Sequence, residues 1–249
     1  MRWWRRKSFW WKAVPLAVLM VMIGTASVRH SMADWWTASR ESAGIAPVPA
    51  QHHEAIIQVY GARAYSWRGY FGVHTWIAVK PTGAPDFTVY EVIGWRVRRG
   101  APAVYISNRP ADGRWFDAMP ELLADVRGPG VDEMIRRVDV AARNYPYMDE
   151  YTVWPGPNSN TFVAHVARAV PELKLDLPPT AIGKDYLPDG KVFAKTPSGT
   201  GVQISLAGLL GLMIGREEGL ELNLLGLTFG IDPLAPALKL PMAGRIGGT

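Results

Sequence analysis

The chain carries five histidines, 22 aspartates and glutamates, and no cysteine. Nucleophilic and acid–base work therefore falls to hydroxyl, imidazole and carboxylate groups, and thiolate metal sites and disulfides are excluded. His74 is the imidazole with the most suggestive setting. It lies between Val73 and Thr75 in an apolar run, with Trp76 two residues on and so on the same face of a strand. An imidazole on a half-buried strand needs partners. It is either a core histidine satisfied by its neighbours or a general acid–base group. Glu91 lies in FTVYEVIGWRV, where Phe87, Val89, Ile93 and Trp95 share its face. A carboxylate aimed at an apolar face needs a partner. His74 on the neighbouring strand could supply it, with Glu91 orienting the ring; a salt bridge to Arg63, Arg96 or Arg98 is the alternative. The third piece is Asn158-Ser159-Asn160-Thr161-Phe162-Val163. It places Ser159 at or near a helix N-terminus, where free N–H groups and the helix dipole favour negative charge. That suits a nucleophile beside part of an oxyanion hole. Serine and asparagine are also the preferred N-caps, so plain capping is the competing reading.

The remaining histidines offer less. His30 stands at the edge of an apolar segment, His52 and His53 precede a strand and are followed by Glu54, and His165 lies within a helix. No metal-ligand spacing such as HExxH occurs, so neither a metal nor a cofactor is expected.

The elements that must position these groups follow from periodicity. Residues 55–60, 72–80 and 87–97 read as strands, with 103–106 a short fourth. Residues 117–126 read as a short helix. Val131–Tyr145 reads as a longer one, with Met134, Ile135, Val138, Ala141, Ala142 and Tyr145 at three- and four-residue steps. After the rigid Trp154-Pro155-Gly156-Pro157 loop a third helix opens near Asn158, with Phe162, Val163, Val166 and Val170 as its apolar stripe. Strands followed by helices suggest an α+β domain with an antiparallel sheet. Further on, Ile204–Ile214 and Leu220–Ile231 are apolar, glycine-punctuated arms joined by Arg216-Glu217-Glu218-Gly219, and read as a β-hairpin. The expected division is a membrane anchor or signal peptide at 1–33, a linker at 34–54, the α+β domain at 55–175 and a C-terminal extension at 176–249, packed on the domain or on a membrane surface.

The net charge of +5 does not point to nucleic acid. The first twelve residues hold five basic side chains (Arg2, Arg5, Arg6, Lys7, Lys12) and no acid; without these five, the 27 basic residues become 22, matching the 22 acids. A phosphate-tracking surface needs a basic excess on the folded domain. Behind this leader, Ala13–Val28 is a run of 16 uncharged residues. At 1.5 Å per residue it covers roughly 24 Å, and residues 9–28 suffice for a bilayer core. Trp3, Trp4, Trp10, Trp11, Trp35 and Trp36 bracket the run, as aromatic belts do. The positive-inside rule then gives a single-pass protein of a bacterial inner membrane, bound to lipid through its N-terminal helix, with the bulk of the chain periplasmic. A signal peptide cleaved after Ser31-Met32-Ala33 is the alternative.

Taken in order, the chemical pieces resemble the permuted papain-like superfamily, which includes the lecithin–retinol acyltransferase-like and permuted NlpC-like proteins. That pattern is a strand with a histidine in an H-W context, a strand with a polar orienting residue, and an N-C-x-x-F-V motif opening a helix. His74-Thr75-Trp76-Ile77 resembles the first piece, Glu91 could occupy the second, and Asn158–Val163 is similar to the third with Ser159 in place of the cysteine. The whole chain also resembles an uncharacterised bacterial family, a domain of unknown function with an N-terminal membrane segment. The superfamily resemblance implies a Ser159–His74–Glu91 catalytic set in a groove whose substrate-binding residues are Asn158, Asn160, Trp76 and Trp154. Two functions follow. One is a hydrolase or acyltransferase acting on amide or ester bonds of a peptidoglycan peptide or lipid. The other is a degenerate, non-catalytic envelope module that uses the groove to hold a peptide, peptidoglycan, lipid or partner protein, because serine lacks the accessible thiolate of cysteine.

Overall fold

A computed structural model describes residues 35–248. Five strands form one antiparallel sheet in the order β4-β3-β2-β1-β5: β1 Ile56–Arg63, β2 Val73–Lys80, β3 Thr88–Val92, β4 Val104–Ser107 and β5 Glu121–Arg127. The single-turn helix α1 (Gly94–Val97) follows β3, and two longer helices, α2 (Val131–Arg143) and α3 (Ser159–Ala169), cover one face. Period-two alternation divides the sheet's side chains between two cores. Ile57, Val59, Ile77 and Val79 meet Met134, Val138, Phe162 and Val166 on the helix side. Ile56, Tyr60, Trp76, Val89 and Trp115 pack on the opposite side. The three-to-four spacing on α2 thus buries Met134, Ile135 and Val138 as the periodicity requires.

The C-terminal part is a seven-stranded antiparallel sheet ordered β12 to β6: β6 Phe193–Lys195, β7 Gly201–Leu206, β8 Leu210–Gly215, β9 Gly219–Leu224, β10 Leu227–Asp232, β11 Ala237–Leu240 and β12 Gly244–Gly247. Apart from the inward Met213, its strands alternate in period two (VQISL, LGLMI, LELNL, LTFGI), but the usual assignment of faces is inverted. Apolar residues form three cross-strand ladders that face outward. The first joins Val202, Ile214, Leu220, Ile231, Leu238 and Ile246. The second runs from Phe193 through Ile204, Leu212 and Leu222 to Phe229, and the third joins Leu206, Leu210 and Leu224. The polar positions between them face the first sheet's side of the molecule. Arg168 of α3 donates to Gln203 Oε1 at 2.7 Å, and Ser205 and Asn223 donate to Asp185 at 3.0 and 2.7 Å. The buried Glu221 carboxylate lies 2.6 Å from Lys184 and 2.8 Å from Lys239, and Lys239 also reaches Asp176 at 2.7 Å. Burial alone would lower the Lys239 ammonium, but Glu221 and Asp176 outweigh it and raise its pKa.

These observations correct several expectations. The described residues are mostly β, with few helices, in place of the expected α+β fold of transmembrane helix, permuted papain-like domain and terminal hairpin. The hairpin is the middle of a seven-stranded sheet, because the same alternation continues on both sides of it. Residues 117–126 supply β5 rather than a helix: pairing with β1 over Ile56–Gly61 satisfies their backbone, and tertiary pairing overrides weak local preference. The segment 87–97 ends its pairing at Val92 and turns into α1. Among the described residues no helix is long and apolar enough to cross a membrane. The single-pass inner-membrane placement, with a periplasmic bulk, therefore loses its structural basis, and residues 9–28, on which it was read, lie outside the described residues.

Removing the acid between two buried ammonium groups should be costly, because it leaves charge uncompensated. Glu221→Gln is expected to lower unfolding stability by about 3–5 kcal/mol, measured by urea denaturation. A change below about 1 kcal/mol would show that the cluster does not hold the two sheets together.

Candidate functional site

β2 carries the central residues, and its alternation decides which of them can meet. Trp76 and His74 point to the face opposite the helices, beside Trp115. There His74 Nε2 lies 3.0 Å from Glu91 Oε2, and Arg109, in the loop after β4, donates to Glu91 through Nε at 2.9 Å and Nη2 at 3.3 Å. The Arg109 guanidinium also lies over the Trp76 ring, 4.6 Å from its centroid. Trp115 stacks on the imidazole with centroids 3.6 Å apart and planes 13° from parallel. His74 is left 5% exposed and Glu91 1%. The Trp76 indole N–H donates to Ala111 O at 2.7 Å, which pins this loop over the pair.

Ser159 lies across the sheet. Thr75, one residue beyond His74 and hence on the other face, donates to Ser159 O at 3.3 Å and to Asn160 Oδ1 at 3.0 Å. Ser159 is the first residue of α3, and its cap is Asn158, whose side chain accepts from the backbone N–H groups of Asn160 and Thr161. The Asn158 amide donates to Val153 O and Ile182 O, and the Asn160 amide to Val73 O and Ile182 O, at 2.9–3.1 Å. Thr161 Oγ1 donates to Gly183 O at 2.9 Å. The segment around Gly183 presses directly on the helix start. Its φ is +88°, and a Cβ there would stand 2.6 Å from Pro155 O and 2.8 Å from Asn158 Nδ2, so glycine is required. Ser159 is 3% exposed beneath this clasp.

The structure therefore brings His74 and Glu91 together and keeps Ser159 apart from them. Trp76 sits with His74 under Arg109. Asn158 and Asn160 serve the helix start and its clasp, and Trp154 is half exposed at the far sheet, where its indole N–H donates to Leu225 O at 2.9 Å. The β2 residue that meets the start of α3 is Thr75, which bonds the Ser159 main-chain oxygen and the Asn160 side-chain amide. Arg109, not Arg63, Arg96 or Arg98, is the cation on Glu91. Arg109 and Trp115 sit in an irregular loop without periodicity, so no pattern marks them; their residue types, a cation and an aromatic, are the only sequence signal.

Electrostatically the cluster is closed. Burial would raise the Glu91 carboxyl, but the His74 hydrogen bond and the Arg109 guanidinium outweigh it and hold it down at about 2. Burial pushes the His74 imidazole below its ordinary value despite the Glu91 contact. The consistent state is a neutral ring whose Nε2–H donates to an ionised carboxylate, with Arg109 as the counter-charge.

A family of proteins of unknown function (DUF3750) matches residues 54–186, just over half of the chain. The chain belongs to this family. The DUF3750 match spans β1 through α3 and the clasp around Gly183, and stops ahead of the seven-stranded sheet. No curated protein and no solved structure matches the chain.

The pH dependence of stability follows with a definite sign. His165 is also held below its ordinary value by burial. Both rings bind a proton less readily in the folded chain than in the unfolded one, where they titrate at about pH 6.5. The unfolded state then binds more protons, and stability falls as pH drops below that value. Glu91 adds a second loss from its ordinary value of 4.5 down to about 2. The urea midpoint of the wild type should fall between about pH 7.5 and 5. His74→Gln should remove part of that slope and His74→Gln/His165→Gln most of the rest. A wild-type midpoint flat over this range would refute the neutral, buried imidazoles.

Proposed function

We infer that this chain works as a binding module rather than as an enzyme. The observation that carries this reading is the placement of the two catalytic candidates on opposite faces of one sheet. Ser159 needs a base within about 2.6–3.5 Å. The β2 side chain on its side of the sheet is Thr75, bonded to its main-chain oxygen, while His74 is stacked under Trp115 and bound to Glu91 on the other side. An imidazole sealed in this way has no path to a substrate, and a serine under the Gly183 clasp has none either.

A ligand would find room elsewhere. An open groove of about 450 Å³ lies between the segment 63–70 and Met242, lined by Arg63, Ser66 and Tyr70. Exposed Trp67 stands on this segment and exposed Phe71 directly follows it. The Arg63 guanidinium donates to Gly69 O and Met242 O, and among the described residues no carboxylate pairs with it. An aromatic-edged groove with one cation in its wall suits a short acidic peptide, peptidoglycan stem peptides included. The Ser159 hydrolase remains the rival that the test addresses.

A fluorophosphonate probe should fail to label the wild-type protein. Ser159→Ala should change stability by less than about 0.5 kcal/mol, because Ser159 is not the cap, whereas Asn158→Ala should cost about 1–2 kcal/mol. Ser159→Cys should alkylate no faster than an ordinary thiol, its site being closed. Labelling that His74→Ala abolishes would overturn the binding-module reading.

A further inference from the structure

The outward face of the seven-stranded sheet has nothing over it among the described residues. Leu212, Leu222, Ile214 and Leu224 at its centre are 37–52% exposed. Strands spaced at about 4.8 Å and rising about 3.3 Å per residue give a patch roughly 30 Å by 18 Å, on the order of 500 Å² in plan and more when its corrugation is counted. That is at the upper end of the apolar patches of monomers. It approaches the roughly 800 Å² that each partner contributes to a stable interface.

We propose that this face binds a second copy of the same chain, closing two sheets into an intermolecular β-sandwich about a two-fold axis. Four features select this occupant. Strands β7 to β11 place no charged side chain on the face, so two copies meet without burying unpaired charge. The three ladders are rows of Leu, Ile and Val, with Phe193 and Phe229 at the ends of the second, the kind of surface that interdigitates at the roughly 10 Å spacing of packed sheets. Both edge strands carry a cation: Lys195 stands opposite Val202 at the β6 rim, and Arg245 on β12 turns to the inner side, where it pairs with Asp232 and Asp176. Edge charges disfavour strand-to-strand addition and leave the face as the route of association. The charges bordering the face carry both signs, with Arg216 and Glu217 in the β8–β9 turn, and aromatic residues occur only as Phe193 and Phe229 in the ladders. A lipid-binding face would instead carry a basic rim and an aromatic belt. The proposal stands independently of the groove and of Ser159.

Leu222 is the middle rung of the middle strand, and so lies beside the two-fold axis. The full chain should sediment as a dimer, and Leu222→Lys should shift it to the monomer mass with an unchanged circular dichroism spectrum. A charge forced into the centre of the interface should weaken association at least about tenfold. Because the chain has no cysteine, Leu222→Cys gives a second reading: a bismaleimide whose arm spans the roughly 10 Å between packed sheets should yield a covalent dimer. Val140→Cys, on the exposed side of α2, should not. A monomeric wild type, or an oligomer that Leu222→Lys leaves intact and Leu222→Cys fails to cross-link, would overturn the proposal. So would a monomer that co-sediments with phosphatidylcholine vesicles through Leu222.

Discussion

Glu221 sits between two buried ammonium groups, and the position of the C-terminal sheet depends on that arrangement. Lys184 comes from the segment behind α3 and Lys239 from β11, while Asp176 closes the set from the body of the molecule. Buried charges must be paired wherever they are placed. Once Glu221, Lys239, Asn223 and Gln203 have found partners on the body, the face that carries them is fixed inward. Period-two geometry then sends every intervening Leu, Ile and Val to the outside. The inverted sheet follows from where the polar partners are. Hydrophobic burial within the chain would have turned the sheet over, and the ionic cluster prevents it.

The first sheet imposes the second constraint. It acts as a septum between an apolar, helix-covered side and an aromatic side holding an ion pair. Side chains one residue apart on β2 are assigned to different chemistries: Thr75 joins the hydrogen-bonded start of α3, and His74 joins Glu91, Arg109 and Trp115. A single position along the strand decides whether a side chain meets α3 or the aromatic side of the sheet. In this DUF3750 protein the imidazole and carboxylate are buried together against Trp115, and the start of α3 is capped by Asn158.

Much of this was legible in the chain. The four strands before residue 107, the α2 stripe, a helix opening at Asn158–Ser159 and the need of Glu91 for a partner all follow from short-range pattern. Each depends on a period or a cap that the local sequence carries. The neighbourhood of Glu91 was only half legible, since His74 shares the pattern of adjacent strands but Arg109 arrives from an irregular loop. The alternation of VQISL, LGLMI, LELNL and LTFGI was present in the sequence, yet its apolar density resembles two hairpin arms as readily as four strands of a larger sheet.

By itself the sequence determined the elements and the residues that demand partners: the inward carboxylate at 91, the cap at 158 and the alternating strands after 200. Those are consequences of backbone periodicity and of the cost of burying an unpaired polar group. The tertiary structure decided which groups meet. It put Thr75 rather than His74 before Ser159, set Arg109 on Glu91, drew 121–127 into β5 and turned the aliphatic face of the last sheet outward. Each of those outcomes depends on which distant surface lies against a given face, and alternation along one strand defines two faces without saying what covers either.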